Sequence, residues 1–437
     1  MTNTSRTHAL ELPEIRSSIA SSLDLKDIES CRIVASSPLT ALDLDRSLIA
    51  DGGATALAEA IQTNSTLTTL NLQANSIGDI GVHALAEAIM TTKALTTLNL
   101  YCNEIKNDGA KALAEALKTK STLTTLNLGN NSIGSEGAQA LSEAIKTNST
   151  LTALDLERNS IKDDGAKALA EALQINSTLG TLNVNYNGIG DDGAQALSGA
   201  LKINLTLTSL GLGYSSINVN GAQALKINSS LTNLDLCSSC FGKDGAQALF
   251  EALMVNSTLT TLDLRNNGIT ASECQTLTET LKVNSTLATV DLAKNSIGDE
   301  GGQALAAALK VNKSLTNLTL SWGWIGDLGG QALAEALKTN SSLTTLNLAS
   351  NSIGDDAAHT LAEALKINKA LTTLNLGYNE IYYDGIKALE EALKTNSTLT
   401  TLNVEYNSIE DSASRALSVA LKSNASRVGS KHIYYMC

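Results

Sequence analysis

The 437-residue chain contains no apolar run of 18 residues, so no membrane-spanning helix and no membrane partner are expected. No charged-then-apolar leader follows Met1, which sets the expectation of a cytoplasmic protein without a secretory signal. Its six cysteines are scattered and supply no disulfide framework, as suits a reducing compartment. Aromatic residues make up only 3% of the chain. Phosphate loops, zinc-ligand spacings and nucleophile motifs are all missing, so the chain reads as no enzyme, with no cofactor and no metal. A net charge of −13 excludes nucleic acid as the main ligand and favours a protein or peptide with a basic or neutral surface.

The residues nearest to chemistry have plainer readings. Cys237-Ser238-Ser239-Cys240 is a C-x-x-C without a second ligand pair, and it reads as a variable loop. His83 and His359 fall on helix positions otherwise held by polar or small residues, so exposure is expected. Acidic pairs such as Asp163-Asp164 and Asp191-Asp192 are explained by helix capping rather than calcium. Sequons such as Asn64-Ser65-Thr66 and Asn256-Ser257-Thr258 recur at one place and follow from helix-stop chemistry.

What the chain has in abundance is one unit. Leu123 to Thr150, LTTLNLGNNSIGSEGAQALSEAIKTNST, recurs with its first leucine at 39, 67, 95, 123, 151, 179, 207, 231, 259, 287, 315, 343, 371 and 399. That is 14 repeats and 13 steps of 28 residues, except one of 24 between Leu207 and Leu231. A fixed period of this size predicts a solenoid. Within the unit, L-x-x-L-x-L-x-x-N predicts a short strand with Leu126 and Leu128 inward and Thr125, Asn127 and Gly129 outward. Asn131 is expected to bond the backbone of its own turn and of the next coil, forming an amide ladder. GAQALSEAIK, with Leu141 and Ile145 at i and i+4, predicts a one-sided helix. Acids open that helix and lysines close it, with Asn148 as a left-handed stop.

Strands stack about 4.8 Å apart and helices about 8 to 10 Å, so the predicted fold is α/β: a right-handed solenoid bent into a horseshoe, with a concave parallel β-sheet and convex helices. The unit resembles the leucine-rich repeat of the ribonuclease-inhibitor type, found also in NOD-like immune receptors and in activating proteins of the Ran GTPase. That resemblance implies binding of another protein. It covers residues 38–423, with 424–437 as a tail.

Residues 1–37 lie outside the repeat and read as a helical cap. Leu12-Pro13-Glu14-Ile15, Ile19, Leu23-Asp24, Asp27, Ile28, Cys31 and Val34 resemble a truncated F-box. The resemblance implies that Leu12, Pro13, Ile15, Ile19 and Leu23 contact the adaptor subunit of a cullin-based ubiquitin ligase. The family's third helix has no counterpart, because Pro38 leads straight into the first repeat. Two functions stand side by side: a substrate-recognition subunit of such a ligase, and a free-standing scaffold, inhibitor or NOD-like-receptor-type sensor, GTPase-activating types included, whose N-terminus only caps the solenoid.

Information about the partner is expected on the concave strand face, at the two positions before the ladder asparagine. There stand Tyr101, Glu157, Arg158, Tyr186, Tyr214, Arg265, Lys294, Trp322, Tyr378, Glu405 and Tyr406. Six of the chain's 13 aromatics occupy these two positions, and Tyr, Trp and Arg dominate binding hot spots. Asp43, Asp155, Asp235, Asp263 and Asp291 make the face mildly acidic. Irregular coils are expected where Ser47, Ser215, Ser239 and Gly323 replace the asparagine, and Phe250 is expected to fill the gap left by the short repeat.

Overall fold

The computed structural model describes residues 38–119, 121–215, 226–240 and 242–407. Residues 1–37, with Leu12, Pro13, Ile15, Ile19 and Leu23, residues 216–225 of the 24-residue repeat and residues 408–437 lie outside them. The chain forms two compact units, Met1–Ser216 and Ile217–Cys437.

The first unit carries parallel strands β1 (Ala41–Asp43), β2 (Thr69–Asn71), β3 (Thr97–Asn99), β4 (Thr125–Asn127), β5 (Ala153–Asp155), β6 (Thr181–Asn183) and β7 (Ser209–Gly211). Between them lie α1 (Ala50–Thr63), α2 (Asp79–Thr91), α3 (Asn107–Lys118), α4 (Ser135–Thr147), α5 (Lys162–Ile175) and α6 (Asp191–Leu201). The second unit carries parallel strands β8 (Asn233–Asp235), β9 (Thr261–Asp263), β10 (Thr289–Asp291), β11 (Asn317–Thr319), β12 (Thr345–Asn347), β13 (Thr373–Asn375) and β14 (Thr401–Asn403). Its helices are α7 (Gly242–Leu253), α8 (Ala271–Val283), α9 (Gly298–Leu309), α10 (Asp327–Leu337), α11 (Asp355–Ile367) and α12 (Tyr383–Leu393). In each unit a strand pairs with its neighbours in sequence, residue on equivalent residue, as Leu98 on Leu126 and Leu318 on Leu346. The expected leucine-rich-repeat solenoid is what forms.

The core follows the repeat. Leu123, Leu126, Leu128, Ile133, Ala138, Leu141, Ala144 and Ile145 are all buried, and their equivalents are buried in the neighbouring coils. Thr125 and Asn127 lie half-exposed on the outer face of β4, as their alternation requires. Phe250 is fully buried, as expected of a core residue, while residues 216–225 of the short repeat, on which the expected gap falls, lie outside the described residues.

Three side-chain ladders hold coil to coil. In the first, Asn131 Nδ2 donates to Leu128 O and Gly129 O of its own turn and to Leu100 O, 31 residues back, at 3.0 Å. Its Oδ1 accepts the Ile105 N–H at 3.1 Å. The ladder therefore reaches the preceding coil, not the next one, because the amide points back across the turn. Where Gly323 replaces the asparagine the side-chain rung is missing, yet the Gly323 N–H still donates to Asn351 Oδ1 at 3.0 Å and β11 keeps its register. Ser239 likewise donates its N–H to Asn267 Oδ1. Ser215 Oγ is buried and, among the described residues, has no hydrogen-bond partner.

The second ladder corrects the expected left-handed stop. Asn148 is extended, with φ −73° and ψ 131°. Its Oδ1 accepts the N–H groups of Thr150 and Leu151, and its Nδ2 donates to Leu117 O at 2.8 Å. One planar amide thus turns the chain and bonds the coil before it, which a left-handed residue would not do. Asn176, Asn204, Asn284, Asn312, Asn340, Asn368 and Asn396 repeat the arrangement. These are the sequon asparagines in most coils, and their amides are buried and already bonded.

The third ladder is the capping, which crosses between coils. Asp51 Oδ1 accepts the N–H groups of Gly78 and Gly81, at the start of α2. Asp79, Asn107, Asp163, Asp299, Asp327 and Asp355 do the same for the helix one coil later. Where the acid is replaced, the next helix begins differently. After Ser135 and Ala271, α5 and α9 start on left-handed Lys162 and Gly298, whose N–H groups turn to the following coil. After Lys243, α8 supplies its own capping box from Thr270 and Glu273.

Candidate interaction surface

Each described strand pairs over three residues, so the chain leaves the sheet early. The two positions before the ladder asparagine fall after the last paired residue; Arg158, for instance, follows Asp155 by three. The candidate side chains therefore line the C-terminal edge of the sheet rather than its face. The third strand residue fixes the first of the two positions: Asp155 Oδ1 accepts the Glu157 N–H, Asn99 Oδ1 the Tyr101 N–H and Asn403 Oδ1 the Glu405 N–H. Asp263 and Asp291 serve the same turn. The acids of the face thus act as turn acceptors where other coils carry Asn.

Burial pushes the Asp155 and Asp291 carboxyls above their ordinary range. Arg265 lies 2.6 Å from Asp263 and 3.8 Å from Asp291, and its hydrogen bonds to Asp263 hold its guanidinium charged. That pairing reduces the expected acidity of the face at these coils.

The second position is left-handed in coil after coil, with φ between 51° and 58° from Arg46, Cys102, Arg158, Tyr186 and Tyr214 to Lys294, Trp322, Ser350, Tyr378 and Tyr406. Its N–H turns to a carbonyl of the next coil, as Tyr186 to Gly213 and Tyr378 to Glu405. Non-glycine residues seldom adopt this conformation. Here the inter-coil bond imposes it, and no glycine at that position advertised it in the sequence.

The conformation lines equivalent side chains up one coil apart. In the first unit the Arg158 guanidinium lies 4.7 Å from the Tyr186 ring centre, and the Tyr186 and Tyr214 rings stack at 3.6 Å and 25°. Arg158 also pairs with Glu157 at 3.3 Å. Tyr101 lays its ring over Gly129 and acts electrostatically on Arg158, at the start of this row. In the second unit the Tyr378 and Tyr406 rings stack at 4.1 Å and 15° beside Glu405, and their mutual hydrogen bond raises the Tyr378 phenol. Lys294 and Trp322 occupy the same register three and two coils before Tyr378, with Ser350 between Trp322 and Tyr378. Trp324, not singled out by the sequence reading, joins Trp322, Ser350, Asn351, Ser352 and Tyr378 around a cleft of about 320 Å3. The signal was present: small residues one repeat after both tryptophans.

The described residues hold no group of His, Cys, Asp and Glu able to bind a metal, and no helix long and apolar enough to cross a membrane. Burial, then the Asp235 charge, pushes the Cys237 thiol up to about 12, which is the opposite of a reactive cysteine. His83 and His359 are exposed. Tyr382 and Tyr383 stand at the start of α12, on another edge.

No curated protein matches the sequence. Among solved structures, an internalin from Listeria monocytogenes str. 4b F2365 aligns at 19% identity and TM-score 0.44, over 93% of each chain. The mouse RP105/MD-1 complex aligns at 17% and 0.48, over 85% of this chain and 68% of that one. The actin-binding site 2 of leiomodin-1 aligns at 22% and 0.30, over 41% of this chain and 88% of that one. Leucine Rich repeat family matches fall at residues 63–86, 94–114, 119–142, 147–170, 176–198, 255–272, 283–306, 311–334, 339–362, 368–389 and 395–418, more than half of the sequence. The chain belongs to the leucine-rich-repeat family.

Proposed function

We propose that this protein works in the cytoplasm by holding a protein or peptide partner along the C-terminal edge of its strands, as leucine-rich-repeat proteins generally serve protein–protein interaction. The observation that carries this is the row formed by Arg158, Tyr186 and Tyr214, three successive coils presenting one stacked series. Large, rigid groups already ordered by one another lose little entropy on binding. Leucine-rich-repeat proteins are typically non-enzymatic binding scaffolds.

The finer reading is recruitment of substrates to a cullin-based ubiquitin ligase, supported by the F-box-like Leu12, Pro13, Ile15, Ile19 and Leu23. Its test is co-elution of the full chain with the ligase adaptor subunit, compared with a chain of residues 38–437. Association lost on truncation supports recruitment. No association of the full chain leaves the ribonuclease-inhibitor-like scaffold, whose partner contacts the same edge.

A further inference from the structure

The cleft beside Trp322 is built differently from the stacked rows. Where Tyr186 meets Tyr214 and Tyr378 meets Tyr406 on adjacent coils, Trp322 and Tyr378 are separated by a coil bearing only Ser350. Two coil steps of about 4.8 Å put equivalent backbone positions roughly 10 Å apart. That leaves room for one planar group between the rings, at about the spacing the protein uses in its own stacks. Trp324 stands beside Trp322, and Ser352 again leaves the space before it open. The floor is fixed: Asn351 Nδ2 donates to Leu320 O and Leu348 O, and its Oδ1 accepts from Gly323 and Ile325. Both tryptophans are mostly exposed, at 60% and 77%, and both are left-handed, with φ 57° and 59°. The position of Trp324 is held by Gly188 and Gly268 in other coils. Packing does not account for large aromatic rings at such places.

The charges around the cleft select the occupant. Glu380 follows Ser352 by one coil at the same register, is exposed, and has no ion pair among the described residues. Glu405 also acts electrostatically on Tyr378. The whole chain carries −13. The protein also shows what suits such a ring in this register, since Arg158 lays its guanidinium over Tyr186.

We propose that the cleft formed by Trp322, Trp324, Ser350, Ser352 and Tyr378 receives an arginine side chain of the partner, its guanidinium stacked between Trp322 and Tyr378 and facing Glu380. A guanidinium is flat and weakly hydrated, and it stacks on both faces, whereas an ammonium is compact and strongly hydrated. A phenyl ring fits the slot but gains nothing from the carboxylate. This deepens the proposed binding role and rests on it.

The chain has only two tryptophans, and both line the cleft, so emission excited selectively from tryptophan reports on this site alone. The experiment titrates the full chain with acetyl-Gly-Arg-Gly-amide, and with Lys and Phe counterparts. The arginine peptide is expected to change the emission saturably, with the lysine peptide at least about threefold weaker. Glu380→Gln weakens the arginine response and removes most of its salt dependence. Ser350→Tyr fills the slot with a ring and abolishes the response while leaving the thermal midpoint in place. No saturable change, an equal or stronger response to the phenylalanine peptide, or a response that survives Ser350→Tyr overturns the proposal. Failure here leaves the row of Arg158, Tyr186 and Tyr214 untouched as a binding surface, and failure to bind the ligase adaptor leaves this titration unchanged.

Discussion

Asp163 Oδ1 accepts the N–H of Gly190 at 2.7 Å, so an acid at the start of one helix caps the helix of the following coil. The bond crosses 27 residues of sequence and one step of the solenoid. Helix capping, ordinarily local, here becomes a coupling between repeats, and a lost cap weakens an interface as well as a helix end.

The coupling predicts unequal roles within an acidic pair. Asp355→Ala removes the acceptor for Tyr382 and Gly385 N–H and is expected to cost about 1–2 kcal/mol. Asp356→Ala, at the exposed second position of its pair, changes stability by less than about 0.5 kcal/mol. Urea unfolding midpoints of the two variants check the difference; equal costs would mean that the inter-coil caps carry no stability.

The helix-stop amides predict a larger loss. Asn148→Ala leaves the Leu117 carbonyl and the Thr150 and Leu151 N–H groups without their partner, at a buried site. At about 1 kcal/mol or more for each orphaned group, the cost is expected near 3 kcal/mol. Hydrogen exchange at Thr150 and Leu151 should accelerate in this variant, and unchanged exchange would show that water replaces the amide at little cost.

Gly298 isolates a backbone effect. Its φ is 62°, and an added Cβ meets nothing within 4 Å, so Gly298→Ala tests conformation without a clash. Left-handed backbone costs a non-glycine residue on the order of 1 kcal/mol, and that destabilisation is the expected result. Adding Ala271→Asp supplies the inter-coil cap and lets the helix start in the extended form seen at Gly326, where Asp299 provides it. The double variant should recover most of the loss in thermal unfolding; no recovery would separate the left-handed start from the missing acid.

Much of this was legible because the repeat forces it. Leucine spacing placed Leu126, Leu128 and Ile133 in the core and the short strand in its register, since a coil whose side chains recur every 28 residues has one way to stack on its copy. The ladder asparagine was legible as a bonded amide, though not its direction toward Leu100. Capping by Asp163 was legible as chemistry but not as a bond to another coil, because Gly190 is a neighbour only in three dimensions. Asn148 was misread for a related reason: asparagine serves both a left-handed stop and an extended turn, and the distant carbonyl of Leu117 decides between them. The side chains of Tyr186 and Trp322 were picked out by type, while their placement beyond the paired residues depended on how short each strand is. Trp324 escaped because the emptiness that matters, at Ser350 and Ser352, belongs to the following repeat.

Asp155 carries a pH signature. Burial raises its carboxyl in the folded state, so the folded chain holds that proton more tightly than the unfolded chain does. The group therefore favours folding below the ordinary carboxylate range and disfavours it once pH rises through the raised value. Its neighbours Asn127 and Asn183 show that an amide fits the same column. Asp155→Asn mimics the protonated form, keeps the oxygen that accepts the Glu157 N–H, and should raise the thermal midpoint at pH 7. The gain should disappear on acidification into the ordinary carboxylate range. A gain that persists at low pH would assign it to the amide's new hydrogen bond rather than to charge.

The stacked rows predict where binding energy concentrates. Tyr186→Ala and Tyr214→Ala each break the series that begins with Arg158, and Trp322→Ala removes the wall shared with the second-unit cleft. None of the three is fully buried, so thermal midpoints should move little, and a fall in binding reports contact rather than folding. Central aromatic residues of an interface typically cost about 2 kcal/mol on truncation, or roughly thirtyfold in affinity. Because Tyr186 is held between Arg158 and Tyr214, its loss also frees both neighbours, and Tyr186→Ala should weaken binding more than Tyr214→Ala. Affinity of each variant for a partner isolated with the intact chain, measured at low and at physiological salt, checks the order. Undiminished affinity in all three would move the contact from this edge to the helices.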